Sequence, residues 1–210
     1  MRPRPRPIGD AGVTPSPAGA GRDGTLRLFF ALWPTEFLQR ELEAAASHAL
    51  GAVREGNRVA RESLHLTLVF LGSVPRSSVK CVRACAQRVS EASTLAPHGL
   101  EVTLDALERW SRSRLLCATA HREPEPAAQL ARSLKDALCS AGFSPDLKPF
   151  RAHVTLVRQL RGGAISRQGA PELRIAPVVW KFGDFALVES RPGPGGSAYS
   201  VLETWPLCRA

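Results

Sequence analysis

One short phrase occurs twice in this chain. Leu64-His65-Leu66-Thr67-Leu68-Val69 returns as Ala152-His153-Val154-Thr155-Leu156-Val157, 88 positions later. In each copy aliphatic and β-branched residues surround a histidine and a threonine two apart, which is strand composition. Side chains alternate faces along a strand. His and Thr therefore share one face, while Leu66 and Leu68, or Val154 and Leu156, take the other. A spacing of 88 is too long for a solenoid repeat and suits two halves of one domain. The fold must bury the aliphatic face of both strands and leave two imidazoles and two hydroxyls on the other.

The surrounding pattern sets helices between strands taken in ones and twos. Leu26 to Leu32 reads as a buried strand that Trp33-Pro34-Thr35 stops, after which Phe37, Leu38, Leu42, Ala45 and Ala49 share a helix face. A second helix is predicted from about Ser77 to Ala92 and a third from about Pro126 to Ser140, with Gly142 as its cap. Leu100 to Leu104 and Leu115 to Thr119 read as strands. Val178 to Glu189 reads as one strand, which Arg191 to Gly196 turns into a hairpin with Tyr199 to Trp205. This order predicts an α+β fold, with two pseudo-symmetric lobes of antiparallel sheet and flanking helices around a central groove. Residues 25–210 are expected to form that single two-lobed domain. Residues 1–24, Arg-Pro repeats followed by Ala, Gly and Pro, have too little apolar content to fold and are expected to be a disordered leader.

Two imidazoles facing one groove suit phosphodiester cleavage at neutral pH. One must take a proton from the nucleophile and the other must protonate the leaving oxygen, and a side chain with an ordinary pKa of about 6.5 serves in either state. Threonine hydroxyls beside the rings can donate to non-bridging oxygens as charge develops. No close histidine spacing or cysteine cluster suggests zinc, so no metal and no cofactor are expected. His48, His98 and His121 fall on a helix and at turns or strand ends, as solvated residues. Phe29, Trp33 and Phe150 have faces on which a base can stack, although core packing suits Phe29 better.

Composition adds limits. Lys and Arg total 28 against 19 Asp and Glu, a net charge of +9, compatible with a polyanionic partner and equally with arginine-rich codon usage. The five cysteines, odd in number and without a CxxC pair, read as reduced thiols of a cytoplasmic protein. No apolar run reaches the length of a membrane span, so no membrane association is expected; the expected state is a monomer, although the sequence itself leaves the oligomeric state open.

Beyond the motifs, Arg27 to Pro34, Leu64 to Gly72, Lys148 to Arg158, and Leu187 to Ser190 through Gly195-Gly196 to Trp205-Pro206-Leu207 resemble the 2H phosphoesterase superfamily. Within it they are similar to the bacterial RNA 2′,3′-cyclic phosphodiesterases, historically called 2′-5′ RNA ligases. The resemblance implies metal-free hydrolysis of a 2′,3′-cyclic phosphate, on RNA ends or small cyclic nucleotides, to a 2′-phosphate. It implies that His65 donates a proton to the departing 3′ oxygen, that His153 activates water, and that Thr67, Thr155 and Arg158 hold phosphate oxygens. Lys148 and Arg151 are expected to help Arg158. Strict alternation turns Arg158 away from His153, so its role requires a bend in the strand. Two departures stand out: many relatives have arginine where Val69 stands, which predicts a missing cation, and proline where Ala152 stands. The rival reading is a protein that binds RNA ends through a terminal phosphate without turnover.

Overall fold

Alternation on the first strand already divides the molecule into two faces. In β1 (Thr25–Leu32), Leu26, Leu28, Phe30 and Leu32 enter the main core, while Phe29 and Ala31 point to the opposite side and pack with Ala186 and Val188. The computed structural model describes residues 24–52, 56–93, 100–160, 173–193 and 196–207. Apart from Gly24, the expected leader lies outside them.

Thr35 starts α1 (Glu36–Ala52): its Oγ1 accepts from the Leu38 backbone N–H at 3.4 Å, as an N-cap side chain should. The two-residue β2 (Asn57–Arg58) and a 3-10 turn at Arg61–Ser63 lead into β3 (Leu66–Pro75), which carries the first motif. Helix α2 (Val79–Ala92) is followed by β4 (Leu100–Trp110), six residues longer than its sequence suggests, and β5 (Leu115–Thr119). Helix α3 (Glu125–Ser140) ends as expected: Gly142 takes φ +84°, and Phe143 N–H donates to Leu138 O at 3.0 Å, satisfying a last-turn carbonyl. The second motif is β6 (His153–Arg158). The three helices cover one face, α1 against β7, α2 against α3 and β9, α3 against β3 and β4.

The expected strand from Val178 to Glu189 is two strands. Gly183 separates β7 (Leu173–Phe182) from β8 (Asp184–Gly193), which pairs with β9 (Gly196–Pro206) up to Gly193↔Gly196. The strand order is β7-β4-β5-β6-β3-β1-β8-β9, with β2 also on β6, and every pairing is antiparallel. One half is β3-β1-β8-β9 and the other β7-β4-β5-β6. They meet at the motif strands, through the single pair Leu66↔Val154. Only one residue separates β7 from β8, so those ends are within about 8 Å although they belong to opposite halves. The open sheet must curl to allow this, and the face turned away from the main core holds the groove. Leu66 and Val154, both fully buried, close the seam beneath it. Truncating Leu66 to Ala would cost about 2–5 kcal/mol.

Candidate active site

Each motif strand contains a bulge one residue after its threonine. On β3, Ala31 pairs with Thr67 and Phe30 with Val69, leaving Leu68 extra; on β6, Cys117 pairs with Thr155 and Leu116 with Val157, leaving Leu156 extra. An extra residue reverses the alternation beyond it. Val69 and Val157 consequently stay in the core, whereas Phe70 and Arg158 turn back to the face of the threonines. This is the bend that Arg158 required. A cavity of about 240 Å³ brings together His65, Thr67, His153, Thr155 and Arg158 with Arg27, Phe29, Phe70, Leu115, Ser190, Ser197 and Tyr199. Gly56 secures the far end of β6. At φ +134°, a Cβ there would stand 2.8 Å from Val157 Cγ1.

The two imidazoles are oriented alike. His65 Nδ1 lies 2.7 Å from Ser63 O, and His153 Nδ1 lies 2.8 Å from Arg151 O, each two residues upstream. A carbonyl can only accept, so Nδ1 carries hydrogen on both rings and Nε2 is the nitrogen free to exchange a proton. Aromatic side chains enclose His65. Trp33 stacks on it at 5.3 Å and 3°, Phe29 is tilted at 4.9 Å, and Tyr199 meets it edge-on at 4.9 Å. Burial holds the pKa of His65 down to about 4, with the charges of Arg158 and His153 acting the same way and the Ser63 hydrogen bond opposing. Burial also lowers that of His153, helped by Arg151 and Arg158 and opposed by the Arg151 carbonyl and by Glu108. Both shifts favour the neutral form of the ring.

Behind His153 lies a connected cluster. The Trp110 ring is 4.5 Å from the imidazole, its Nε1–H donates to Glu108 Oε2 at 2.9 Å, and Thr119 Oγ1 donates to Glu108 Oε1 at 3.3 Å. Arg151 Nη2 reaches both Glu108 oxygens, at 2.6 and 2.5 Å. Glu108 thus steadies the ring on His153 and the residue whose carbonyl orients it. Arg158 is held from the other half, with Nη2 donating to Tyr199 Oη at 3.1 Å.

Several expectations change. Val69 leaves no gap in the groove, because it is 1% exposed and part of the core; the equivalent of Arg158 in the first half is Phe70. The charge of Arg151 is committed to Glu108, and Lys148 Nζ faces Asp146 at 3.2 Å, so neither backs Arg158 directly. Phe150 lines a neighbouring cavity of about 500 Å³ with Trp110, Pro149 and Phe70, contiguous with the first through Thr67, Phe70 and His153. At Ala152, where the resemblance led to an expected proline, the backbone N–H donates to Glu123 Oε1 at 3.1 Å, a tie that proline cannot make. His121 sits on an exposed turn with its N–H on Asp105 Oδ1, while His98 and the His48 side chain lie outside the described residues. Glu108, Trp110, Tyr199, Phe70 and Arg27 were not singled out by sequence.

A sequence model of the 2′-5′ RNA ligase superfamily matches residues 35–194, most of the chain and both motifs. The chain belongs to this superfamily. An RNA 2′,3′-cyclic phosphodiesterase of Escherichia coli (strain K12) is 30% identical over 186 residues, covering 86% of this chain and 96% of that protein. A protein of the same name from Thermus thermophilus is 31% identical over 198 residues, covering 87% and 90%. The crystal structure of E. coli LigT complexed with 3′-AMP superposes with a TM-score of 0.70 at 28% identity, over 88% of this chain and 99% of that one. The α+β fold expected from the sequence is the fold of this superfamily member. Among the described residues no helix is long and apolar enough to cross a membrane.

Proposed function

We propose that the protein hydrolyses 2′,3′-cyclic phosphate, on RNA ends or nucleotides, to a 2′-phosphate. The observation that carries this reading is the pair of imidazoles with matched tautomers, each leaving Nε2 toward a groove that also holds two threonines and a guanidinium. His153 takes a proton from water as the water oxygen bonds to phosphorus. The phosphorus–O3′ bond breaks, and protonated His65 delivers its proton to the 3′ oxygen. Thr67, Thr155 and Arg158 hold the non-bridging oxygens, on which charge accumulates. Every proton then has a donor or an acceptor among these side chains, and on this reading the step needs no metal. The apolar wall of Phe150 and Trp110 beside His153 offers a face for the terminal base. Ligation is the reverse of this step at the same groove. The free thiols of Cys81, Cys85, Cys117 and Cys139 fit a reducing compartment such as the cytoplasm.

The test is incubation, in excess chelator, with short RNAs ending in 2′,3′-cyclic phosphate, followed by end-mapping. The expected result is full turnover to a 2′-phosphate. His65→Ala and His153→Ala should each lower it about a hundredfold or more, and the double variant should be far less than multiplicatively worse. A 3′-phosphate product would reverse the bond cleaved. Tight binding without turnover would establish an RNA-end-binding protein, and rescue by one divalent ion after chelation would overturn the metal-free step.

A further inference from the structure

The equivalent bulges give each half of the groove the same slot, five residues after the motif histidine. Arg158 fills it in one half and Phe70 in the other. The Phe70 slot is not without charge. Arg27, on the groove face of β1, lays its guanidinium over the Phe70 ring, with Cζ 4.7 Å from the centroid. A guanidinium stacked on an aromatic face keeps its N–H groups directed outward in its own plane, fixed and ready for an anion. Arg27 is exposed, and among the described residues no carboxylate pairs with it. Arg40, Arg61, Arg83, Arg132, Arg174 and Arg191, away from the groove, each face an acid.

Arg27 and Arg158 do not serve the same phosphate. The charge of Arg158 reaches both imidazoles, and its guanidinium is tied to the tyrosine that touches His65. Arg27 stands four residues along β1 from Ala31, the partner of Thr67, so its Cα lies roughly 13 Å up the strand from the threonine. A second anion in the same cavity, one step from the reacting phosphate, suits that position. A 2′,3′-cyclic phosphate closes the 3′ end of an RNA, so any further phosphate lies on its 5′ side. We propose that Arg27, platformed on Phe70, binds the phosphate 5′ to the terminal nucleoside and makes the groove prefer substrates that carry one. This deepens the cyclic-phosphodiesterase reading and rests on it.

The experiment compares kcat/KM for a nucleoside 2′,3′-cyclic phosphate, its 5′-phosphorylated form and a dinucleotide ending in cyclic phosphate. Wild type should favour the two substrates with a 5′ phosphate. Arg27→Ala should lose about tenfold on both of these relative to the plain nucleoside substrate, and an unchanged Tm shows that the variant is folded. Its salt dependence on the dinucleotide should be shallower by about 0.7 in the log–log slope, the share of one phosphate contact. Phe70→Leu should move in the same direction. Restoring a guanidinium through Phe70→Arg in the Arg27→Ala background should recover part of the preference. If Arg27→Ala weakens all three substrates equally, Arg27 serves the reacting phosphate and the proposal fails. If all three are unchanged, Arg27 is a solvated surface residue. If wild type turns over none of them, the cyclic-phosphodiesterase reading itself fails.

Discussion

The enclosed environment of His65 creates a conflict that the substrate must resolve. A ring with a pKa of about 4 is protonated in about one molecule in a thousand at pH 7, so the free enzyme is a poor proton donor. An anionic phosphate hydrogen-bonded to Nε2 places its charge about 4 Å from the ring. At an effective dielectric of about 20, unit charges at that distance attract by about 4 kcal/mol, or roughly a thousandfold in proton affinity. Bound phosphate should therefore carry His65 from about 4 to about 7 and arm the acid only in the complex. Nitrogen-15 NMR of the histidine rings, titrated with and without a nucleoside 2′-monophosphate, measures this directly. Arg158→Ala should raise the free value, because the guanidinium helps to depress it. Stability follows the same proton. Since the folded pKa lies below the unfolded value of about 6.5, the unfolded chain binds the extra proton between those two values. The contribution is complete above about 6.5 and is lost as pH falls toward 4, and phosphate should flatten that dependence of Tm. If His65 still titrates near 4 in the complex while His153 takes the proton, the acid and base roles are exchanged and this reasoning is wrong.

Neutralising Glu108 in Glu108→Gln should lower the pKa of His153 further, since the carboxylate supports its charged form; nitrogen-15 NMR should show that ring titrating at lower pH, and an unmoved titration would leave Glu108 with a packing role only. Tyr199→Phe removes the hydroxyl that accepts from Arg158 at 3.1 Å and keeps the ring on His65, so kcat/KM should fall about tenfold with little change in Tm; wild-type kinetics would show that Arg158 needs no tether. Arg158→Ala should damage turnover substantially and Arg158→Lys should recover only part, because an ammonium cannot span two phosphate oxygens; kinetics unchanged by either would remove Arg158 from the site.

Strand alternation, three apolar helix stripes and a glycine cap made the motif strands and helices legible, and with them both imidazoles and both threonines. The bulges were not legible. Nothing in Leu66-Thr67-Leu68-Val69-Phe70 marks which aliphatic residue is extra, yet that choice puts Phe70 and Arg158 in the groove and Val69 in the core. The break at Gly183 was hidden by apolar residues on both sides, Val178, Trp180 and Phe182 before it and Phe185 to Val188 after it, buried in opposite halves of the one sheet. The aromatic enclosure of His65 joins Phe29, Trp33 and Tyr199 across most of the chain, and local pattern carries no trace of such contacts.

The curled strand order also sets a timetable. β1 is made first among the described strands and lies between β3 and β8, and β8 is translated about 150 residues later. At roughly 5–20 residues per second, one edge of an apolar strand waits on the order of ten seconds for its neighbour. During that interval the nascent chain carries His65, and then His153, amid ribosomal RNA, without the tyrosine that tethers Arg158. Tyr199 arrives on β9, the last described strand, so the groove is completed only as that final hairpin docks onto the oldest part of the sheet.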